Sequence, residues 1–455
     1  MTVAEFLAML ASQGIQVRVQ GDKLRYRGSG AKVTPEIHAA IAERKDEILA
    51  ALQPRNGTDE SGPRPMPRDG ALPLSFAQQR LWFLDQLQPN SPAYNIHDAI
   101  TLSGPLDVAR LERSFTALVA RHEILRTTFT HAAGTNDEQP SQQIAAPEPL
   151  SIPLHDLQPL SPEQQFAEVQ RLALAEAQQP FDLAHGPLLR IVLLRLASTE
   201  HALLITMHHI ISDGWSMGIF IRELTTLYLA DGAATALPPL TIQYADFAIW
   251  QRRRLSPEIS GGYLERLLDY WRQQLADAPM FLDLPIDRPR PAVQSFAGGT
   301  VTTLLDAELT DQLKRLSQHY HATLFMTLLA ALQILLARHT GQQQIVVGTP
   351  IAGRTHKALE DLIGFFVNTL ALHSDLSDNP TFGELLGRVR TMTLDAYTHQ
   401  DLPFEQLIDA LHPVRDLSRQ PLVQVLFAMQ NAPAQALELP GLALRPLSSE
   451  AAVAK

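Results

Sequence analysis

The pattern of hydrophobic and polar positions changes several times within the first fifty residues. Apolar residues recur at helical spacing over 3–10, alternate with polar residues over 15–19 and 24–26, and return to helical spacing over 34–52. A Gly-Asp pair separates the two alternating runs, which predicts a β-hairpin. The order helix, strand, strand and one or two helices predicts a small α-β-β-α module over residues 1–52.

A different pattern follows after a short break. Residues 53–71 are rich in Pro, Gly and charge, so they predict an exposed linker. From 72 to 455, long helical patterns alternate with β-rich segments, and two of the helices end in Ala-Arg-His before a strand. This echo predicts an α/β domain of two similar lobes, about 72–245 and 246–455, with a cleft between them as the usual place for a site.

Composition narrows the class of protein. The chain has 455 residues, of which 45% are apolar and 19% charged, as expected of a globular protein with a sizeable core. A formal net charge of -11 disfavours nucleic acid as a main partner. The absence of cysteine excludes disulfides, thiolate zinc sites and cysteine nucleophiles. We expect a cytoplasmic protein without a membrane partner, because the N-terminal residues lack the positive region of a signal peptide and the longest apolar run, 324–337, is short.

The candidate chemistry is concentrated at the end of one apolar run. Residues 202–211 predict a buried strand that contains the adjacent His208 and His209 and is broken by Asp213 and Gly214. Adjacent strand residues point to opposite faces, so the two imidazoles are not expected to hold one metal. One imidazole can instead face the cleft and accept a proton from an amine or a hydroxyl, whereas a role in the core is the alternative for either ring.

A second, shorter motif overlaps the first. Residues 214–218 read Gly-Trp-Ser-Met-Gly, which fits the Gly-x-Ser-x-Gly pattern of serine hydrolases and lies before a predicted helix. Three fixed small residues recur easily by chance, so the histidine motif carries more weight. A serine hydrolase with Ser216 as nucleophile remains an alternative at this point.

The chain resembles the condensation domains of non-ribosomal peptide synthetases, which belong to the chloramphenicol-acetyltransferase-like superfamily. Residues 208–214 match the hallmark His-His-x-x-x-Asp-Gly of that family. Further stretches resemble the family in the same order, and the resemblance covers about 72–431. These stretches are 75–82, 121–129, 244–251, 363–369, 399–405 and 415–427.

The resemblance implies an α/β fold with two chloramphenicol-acetyltransferase-like lobes in a V-shape. It also implies amide-bond formation between a donor acyl or peptidyl thioester and an acceptor aminoacyl thioester. Both substrates would be carried on phosphopantetheine arms of an upstream and a downstream carrier protein, with no cofactor or metal bound to the domain itself. The catalytic residue would be His209, which the family places beside the acceptor amine.

Supporting roles follow from the same resemblance. His208 and Gly214 belong to the motif, and Asp213 would be a structural residue paired with an arginine rather than a catalytic carboxylate. Arg354 is the first candidate for that arginine, and Arg288 and Arg290 are the alternatives.

The resemblance also bears on the branch of the family and on the extent of the domain. Residues 75–79 together with Ser212 most resemble the branch that joins an L-configured donor to an L-configured acceptor. The alternatives to a peptide-forming enzyme are an epimerase or an ester-forming acyltransferase of the same superfamily, or an inactive docking scaffold. The family continues beyond Phe427 with a strand and a helix. We therefore expect a strand to begin in 447–455 and the domain to be truncated at its C-terminus. We also expect an adenylation domain downstream in the full-length protein.

The module over residues 1–52 resembles the small N-terminal docking domains of the tubulysin type. Such domains bind the C-terminal tail of the preceding synthetase subunit. The predicted hairpin is basic, and Arg18, Lys23, Arg25 and Arg27 are the candidate residues for binding an acidic tail. A stabilising extension without a partner is the alternative.

Overall fold

The structure is a computed structural model, and its residues group into two compact units. The first unit comprises residues 1–61 and 253–265, and the second comprises 62–252 and 266–455. The predicted helices over 3–10 and 34–52 lie outside the described residues. The structure describes residues 15–20, 23–28, 62–131, 140–258, 262–291, 298–412, 418–430 and 441–447.

The first unit contains the predicted hairpin. Strands β1 (Ile15–Gln20) and β2 (Lys23–Gly28) pair antiparallel, which confirms the prediction from alternation. The register pairs Arg18 with Arg25 and Val17 with Tyr26. Because directly opposite residues share a face of a hairpin, the apolar and basic positions separate onto its two faces.

The second unit is built around a five-stranded sheet. Its order is β12 (Ala443–Pro446), β4 (Asn95–Ser103), β9 (Glu200–His208), β8 (Leu189–Ala197) and β7 (Leu154–Asp156). The contacts between β12, β4, β9 and β8 are antiparallel, whereas β7 runs parallel to β8. The central β9 is buried at almost every position, as its apolar sequence predicts.

Two smaller sheets complete the described strands of this unit. One joins β3 (Leu72–Pro73), β6 (Pro140–Ile144) and β5 (Thr127–His131). The other is an antiparallel pair, β10 (Gln344–Ile351) with β11 (Asn368–Asp375). Together with the helices, these sheets make the chain a mixed α/β protein, as predicted.

Helices pack on the sheets and share the core with them. Phe115 and Phe220, from two different helices, contact each other in the core over the apolar residues of β8 and β9, with ring centroids 5.9 Å apart. Several helices begin after a Ser, Thr or Asp whose side chain accepts a hydrogen bond from the first turn. The helices are α1 (Phe76–Leu87), α2 (Val108–Arg121), α3 (Pro162–Gln178), α4 (Gly214–Leu229), α5 (Tyr244–Arg254), α6 (Tyr263–Gln274), α7 (Ala307–His319), α8 (Leu324–Thr340), α9 (Phe382–Thr398) and α10 (Phe404–Leu411).

Two element boundaries differ from the prediction. The strand expected over 202–211 ends at His208, because His209–Ile211 forms a 3-10 turn. Helix α4 begins at Gly214 rather than after Ser216, since Asp213 caps it. The prediction of a strand that begins in 447–455 stays a prediction, because residues 448–455 lie outside the described residues. Strand β12 ends just before this stretch and pairs with β4.

The described part of the expected linker, residues 62–71, is mostly exposed and has no regular secondary structure, but some of its side chains are held by the rest of the second unit. Pro63 is buried, and Arg68 forms ion pairs with Glu123 at 2.9 Å and with the buried Asp246 at 2.7 Å. A segment without hydrophobic periodicity can still be held by ion pairs, and these are invisible to a pattern of apolar residues.

None of the described helices is by itself long and apolar enough to cross a bilayer. The pair α7 and α8 passes the length and composition criteria jointly, but it is bent by 101° at the break between them.

Candidate functional site

The end of β9 separates the two adjacent histidines. His208 is buried, and its Nδ1 accepts a hydrogen bond from the backbone N–H of Ile210 at 3.1 Å. The rings of Tyr94 and Phe181 contact its ring, with centroids 6.3 and 6.1 Å away. His208 therefore caps the following turn from within the core.

His209 is only half-buried, because the 3-10 turn carries it out of the strand. Its Nδ1 lies 3.0 Å from the carbonyl oxygen of Ser212, so this nitrogen donates its proton to that carbonyl. In the neutral ring the lone pair then resides on Nε2. The ring also packs edge-on against Phe365, with centroids 5.2 Å apart. The turn thus sets the tautomer of the imidazole, and Phe365 limits its tilt.

His209 lines a cavity of about 410 Å³. The cavity wall combines residues from the first part of the second unit with residues far along the chain. Arg80 of α1 and Glu405 of α10 form an ion pair in this wall, with Nη1 and Oε1 3.3 Å apart. Other lining residues include Tyr94, Phe365, Asn368 and Phe404.

Asp213 is fully buried, and its hydrogen bonds hold the protein backbone and an arginine. Its Oδ1 accepts from the backbone N–H of Ser216 at 2.8 Å and from Nη2 of Arg354 at 3.3 Å. Its Oδ2 accepts from the backbone N–H of Phe366 at 3.0 Å. The arginine that stands first among the sequence candidates is thus the ion-pair partner.

The other sequence-predicted residues near this motif have different positions. Arg288 and Arg290 are both exposed, and Arg290 lines the cavity. Neither is the partner of Asp213, which pairs with Arg354. Gly214 is the first residue of α4, and a Cβ built there would meet nothing within 4 Å. The structure therefore shows no steric reason for glycine at this position.

Arg354 connects Asp213 to the loop before β11. Its Nη1 donates to the carbonyls of Leu359 at 2.5 Å and Leu362 at 2.8 Å, and its guanidinium lies over the ring of Phe366 at 4.0 Å. Burial lowers the pKa of Arg354, and the adjacent Asp213 carboxylate raises it. The guanidinium is thus a buried cation whose charge is balanced by one carboxylate and two carbonyls.

Ser216 is not placed as a nucleophile. The residue has no exposed surface, and its Oγ donates to the Gly364 carbonyl at 2.8 Å. The same oxygen accepts from the Gly364 N–H at 3.1 Å and from Arg354 Nη2 at 2.8 Å. A fully buried hydroxyl with three partners cannot reach a substrate carbonyl, so the serine-hydrolase alternative is wrong.

Several residues of the site were present in the sequence only as members of family-like stretches. Phe365 contacts the ring of His209, and the hydroxyl of Tyr244 donates a hydrogen bond to the Phe365 carbonyl. Arg80 and Glu405 form the ion pair in the cavity wall. No spacing rule singles them out, since each comes from a different part of the chain. Among the described residues, no group of three or more His, Asp or Glu side chains could hold a metal ion.

Comparisons with known proteins agree with both resemblances drawn from the sequence. Residues 68–450 match the family model of the condensation domain, and residues 3–53 match that of the TubC N-terminal docking domain. The predicted family assignments are therefore confirmed.

Curated relatives include two of the proteins that make up linear gramicidin synthase from Brevibacillus parabrevis. One is 48% identical over 415 residues, which is 91% of this chain and 5% of that protein. The other is 50% identical over 414 residues, which is 90% of this chain and 8% of that protein. The chain thus spans less than a tenth of the length of these relatives.

Among solved structures, the crystal structure of the X-domain from teicoplanin biosynthesis superposes with a TM-score of 0.76 at 32% sequence identity. The match covers 86% of this chain and 85% of that chain.

Proposed function

Because this chain belongs to the condensation-domain family of non-ribosomal peptide synthetases, we propose that it joins a donor acyl or peptidyl thioester to an acceptor aminoacyl thioester. Both substrates are carried on phosphopantetheine arms, the donor by an upstream carrier protein and the acceptor by a downstream one. The observation that carries the proposal is the placement of His209 in the cavity wall, with its Nδ1 bound to a backbone carbonyl.

The reaction needs little chemistry from the protein. The acceptor nitrogen attacks the thioester carbonyl carbon, a C–N bond forms and the C–S bond breaks. The proton lost by the amine passes through Nε2 of His209 to the departing thiolate, which leaves as a thiol. Holding the two thioesters together supplies up to roughly 7–11 kcal/mol of the barrier reduction, and proton transfer by His209 contributes about 10²–10⁴-fold.

The remaining motif residues support this arrangement without touching substrate. Asp213 and Arg354 join α4 to the loop that carries Phe365, so they hold two sides of the cavity together. An L-configured donor and an L-configured acceptor are part of the proposal, on the strength of residues 75–79 and Ser212. An adenylation domain in the same polypeptide also belongs to the proposal and rests on the family alone.

A single assay separates this function from its alternatives. The chain is mixed with a donor carrier and an acceptor carrier, each loaded with an aminoacyl group, with and without a free alcohol. Products are measured by mass spectrometry, and the configuration of the donor residue is measured by chiral chromatography after hydrolysis. An amide on the acceptor carrier supports the proposal, whereas inversion of the donor without transfer indicates an epimerase. An ester formed with a free alcohol indicates the related acyltransferase, and no product at all indicates a scaffold. Donors of L and D configuration run in parallel test the stereochemical part.

The hairpin of the first unit supports a separate docking proposal. Its register places Arg18, Lys23, Arg25 and Arg27 on the face opposite to that of Val17. Like charges facing each other across a hairpin cost stability unless a partner compensates them. We infer that this face binds the acidic C-terminal tail of an upstream synthetase subunit, which would bring the donor carrier to this chain.

A further inference from the structure

Three consecutive residues beside the cavity are each held by a different side chain from an earlier part of the sequence. Both backbone groups of Gly364 bond to the hydroxyl of Ser216. The Phe365 carbonyl accepts from Tyr244, and the Phe366 N–H donates to Asp213. Of these three side chains, Asp213 belongs to the histidine motif and Ser216 follows it closely. Tyr244 belongs to α5, and the proposed reaction assigns it no role.

Tyr244 is a fully buried strut between α1 and the segment 364–366. Its hydroxyl donates to the Phe365 carbonyl at 2.5 Å and therefore accepts from Oγ of Ser75, the N-cap of α1, at 2.9 Å. Its ring lies so close to Gly364 that a Cβ at that glycine would overlap Cδ2 of Tyr244. Burial is the main cause that raises the pKa of Tyr244, so its hydroxyl keeps the proton that it donates.

The side chain of Phe365 faces the cavity, whereas its backbone carbonyl binds Tyr244. Its side chain is half-buried, lines the cavity and packs against the ring of His209. The hydrogen bond from Nδ1 to Ser212 fixes the position of one ring nitrogen, and it permits the imidazole to tilt about that bond. The phenyl ring limits this tilt, because it contacts the imidazole at 5.2 Å between centroids.

We propose that Tyr244 is a positioning residue for the condensation reaction, acting through the Phe365 carbonyl to hold the phenyl ring that orients His209. This inference rests on the proposed function and deepens it. Tyr244 is not among the residues that line the cavity, so its effect on substrates is indirect.

The effect falls on the chemical step rather than on binding. A displacement of a reacting group by about 1 Å can cost about 100-fold in rate. Tyr244→Phe keeps the ring and removes only the hydroxyl, and it should lower kcat by about 10- to 100-fold while KM for both carrier-borne substrates stays unchanged.

A matched control is available on α4. Tyr228 is also buried, and its hydroxyl accepts a hydrogen bond from the backbone N–H of Asp107 at 3.1 Å. It does not line the cavity and does not contact the segment 364–366 through its hydroxyl. Tyr228→Phe also removes a hydrogen bond of a buried tyrosine, so it should lower stability while kcat stays that of the wild type.

Phe365→Leu provides a second route to the same displacement. It should lower kcat to a similar extent, and the double variant with Tyr244→Phe should fall no further than the more impaired single variant. Additive losses would mean that Tyr244 does not act through Phe365. Phe365→Leu alone leaves Tyr244 in place, so it tests the inference even where Tyr244→Phe folds poorly: unchanged kcat in Phe365→Leu would overturn the orienting role of the phenyl ring.

The decisive measurement does not depend on turnover. The folded wild type, Tyr244→Phe and Tyr228→Phe are treated with diethylpyrocarbonate, and modification of each histidine is followed by peptide mass spectrometry. His209 should react severalfold faster in Tyr244→Phe only, with the exposed His185 as the internal reference in all three proteins. Equal rates at His209 in both variants would overturn the inference. Absence of amide product in the wild type would instead overturn the proposed function, while the labelling comparison would still decide the role of Tyr244.

Discussion

Asp213 and Arg354 lie 141 positions apart in the chain and form a buried ion pair, with 1% and 2% of their side chains exposed. The carboxylate also receives the N–H groups of Ser216 and Phe366, so its described bonds all hold other parts of the protein. The acid of the motif thus joins two distant segments beside the cavity, and His209 takes its orienting bond from a backbone carbonyl instead.

Asp213→Ala should lower the free energy of unfolding by about 3–5 kcal/mol, because it leaves the Arg354 guanidinium buried without its counter-charge. Urea denaturation followed by circular dichroism measures this change. As a control, Asp361→Ala breaks an exposed pair with Arg222 and should cost less than about 1 kcal/mol. Full stability of Asp213→Ala combined with lost activity would point to a catalytic carboxylate.

His209→Ala should reduce amide formation by about 10²–10⁴-fold while leaving the melting temperature close to that of the wild type, since the side chain lies at a cavity wall. The carrier-protein assay and a thermal melt measure the two quantities. His208→Ala should behave differently and lose stability, because it removes a buried ring and the partner of the Ile210 N–H. Near wild-type turnover of His209→Ala would remove this residue from the mechanism.

Gly364→Ala should destabilise the protein by about 1–3 kcal/mol, because the added Cβ would overlap the ring of Tyr244. Gly387→Ala is the matched substitution at an exposed position of α9, where a Cβ meets nothing within 4 Å. There the helix propensity of alanine should raise stability by about 0.5–1 kcal/mol. Opposite signs in chemical denaturation are expected, and equal effects would contradict the close contact at Gly364.

Binding of an acidic C-terminal peptide to the full chain should weaken as salt rises, because exposed charges are screened over about 10 Å at 0.1 M salt. Calorimetry at low and high salt measures this dependence. Reversal of Arg25 and Arg27 to Glu should weaken binding further. Reversal of Arg171 and Lys314, exposed basic residues of the second unit, makes the same change in net charge and should have no effect. Binding that ignores both salt and the hairpin reversal would contradict the electrostatic account.

The sequence was sufficient where the signal is local. Alternation over 15–19 and 24–26 predicted the hairpin, whose strands pair in a register that runs from Gln20 with Lys23 to Ile15 with Gly28. The run before His208 predicted a buried strand that the structure places at the centre of the largest described sheet. The motif also indicated that Asp213 would pair with an arginine.

Local signals also misled where the same residues serve a long-range contact. Gly-x-Ser-x-Gly left an exposed nucleophile open as an alternative, yet Ser216 is buried and its hydroxyl is bound by Gly364 and Arg354. The linker appeared free of structure, yet Arg68 is held by Glu123 and Asp246. Hydrophobic periodicity predicts neither contact, since both depend on polar groups that lie far away in the chain.

The amino-acid order by itself determined the hairpin, the buried strand before His208 and the family, because apolar periodicity and short motifs are properties of neighbouring residues. Only the tertiary structure decided which side chains surround His209. Ser75, Tyr244 and Phe365 come from three distant segments, and they meet because the core beneath them buries its apolar surface in one packing. A hydrogen bond forms only within a narrow range of distance and angle, so these bonds can form only when the packing has brought the three segments together.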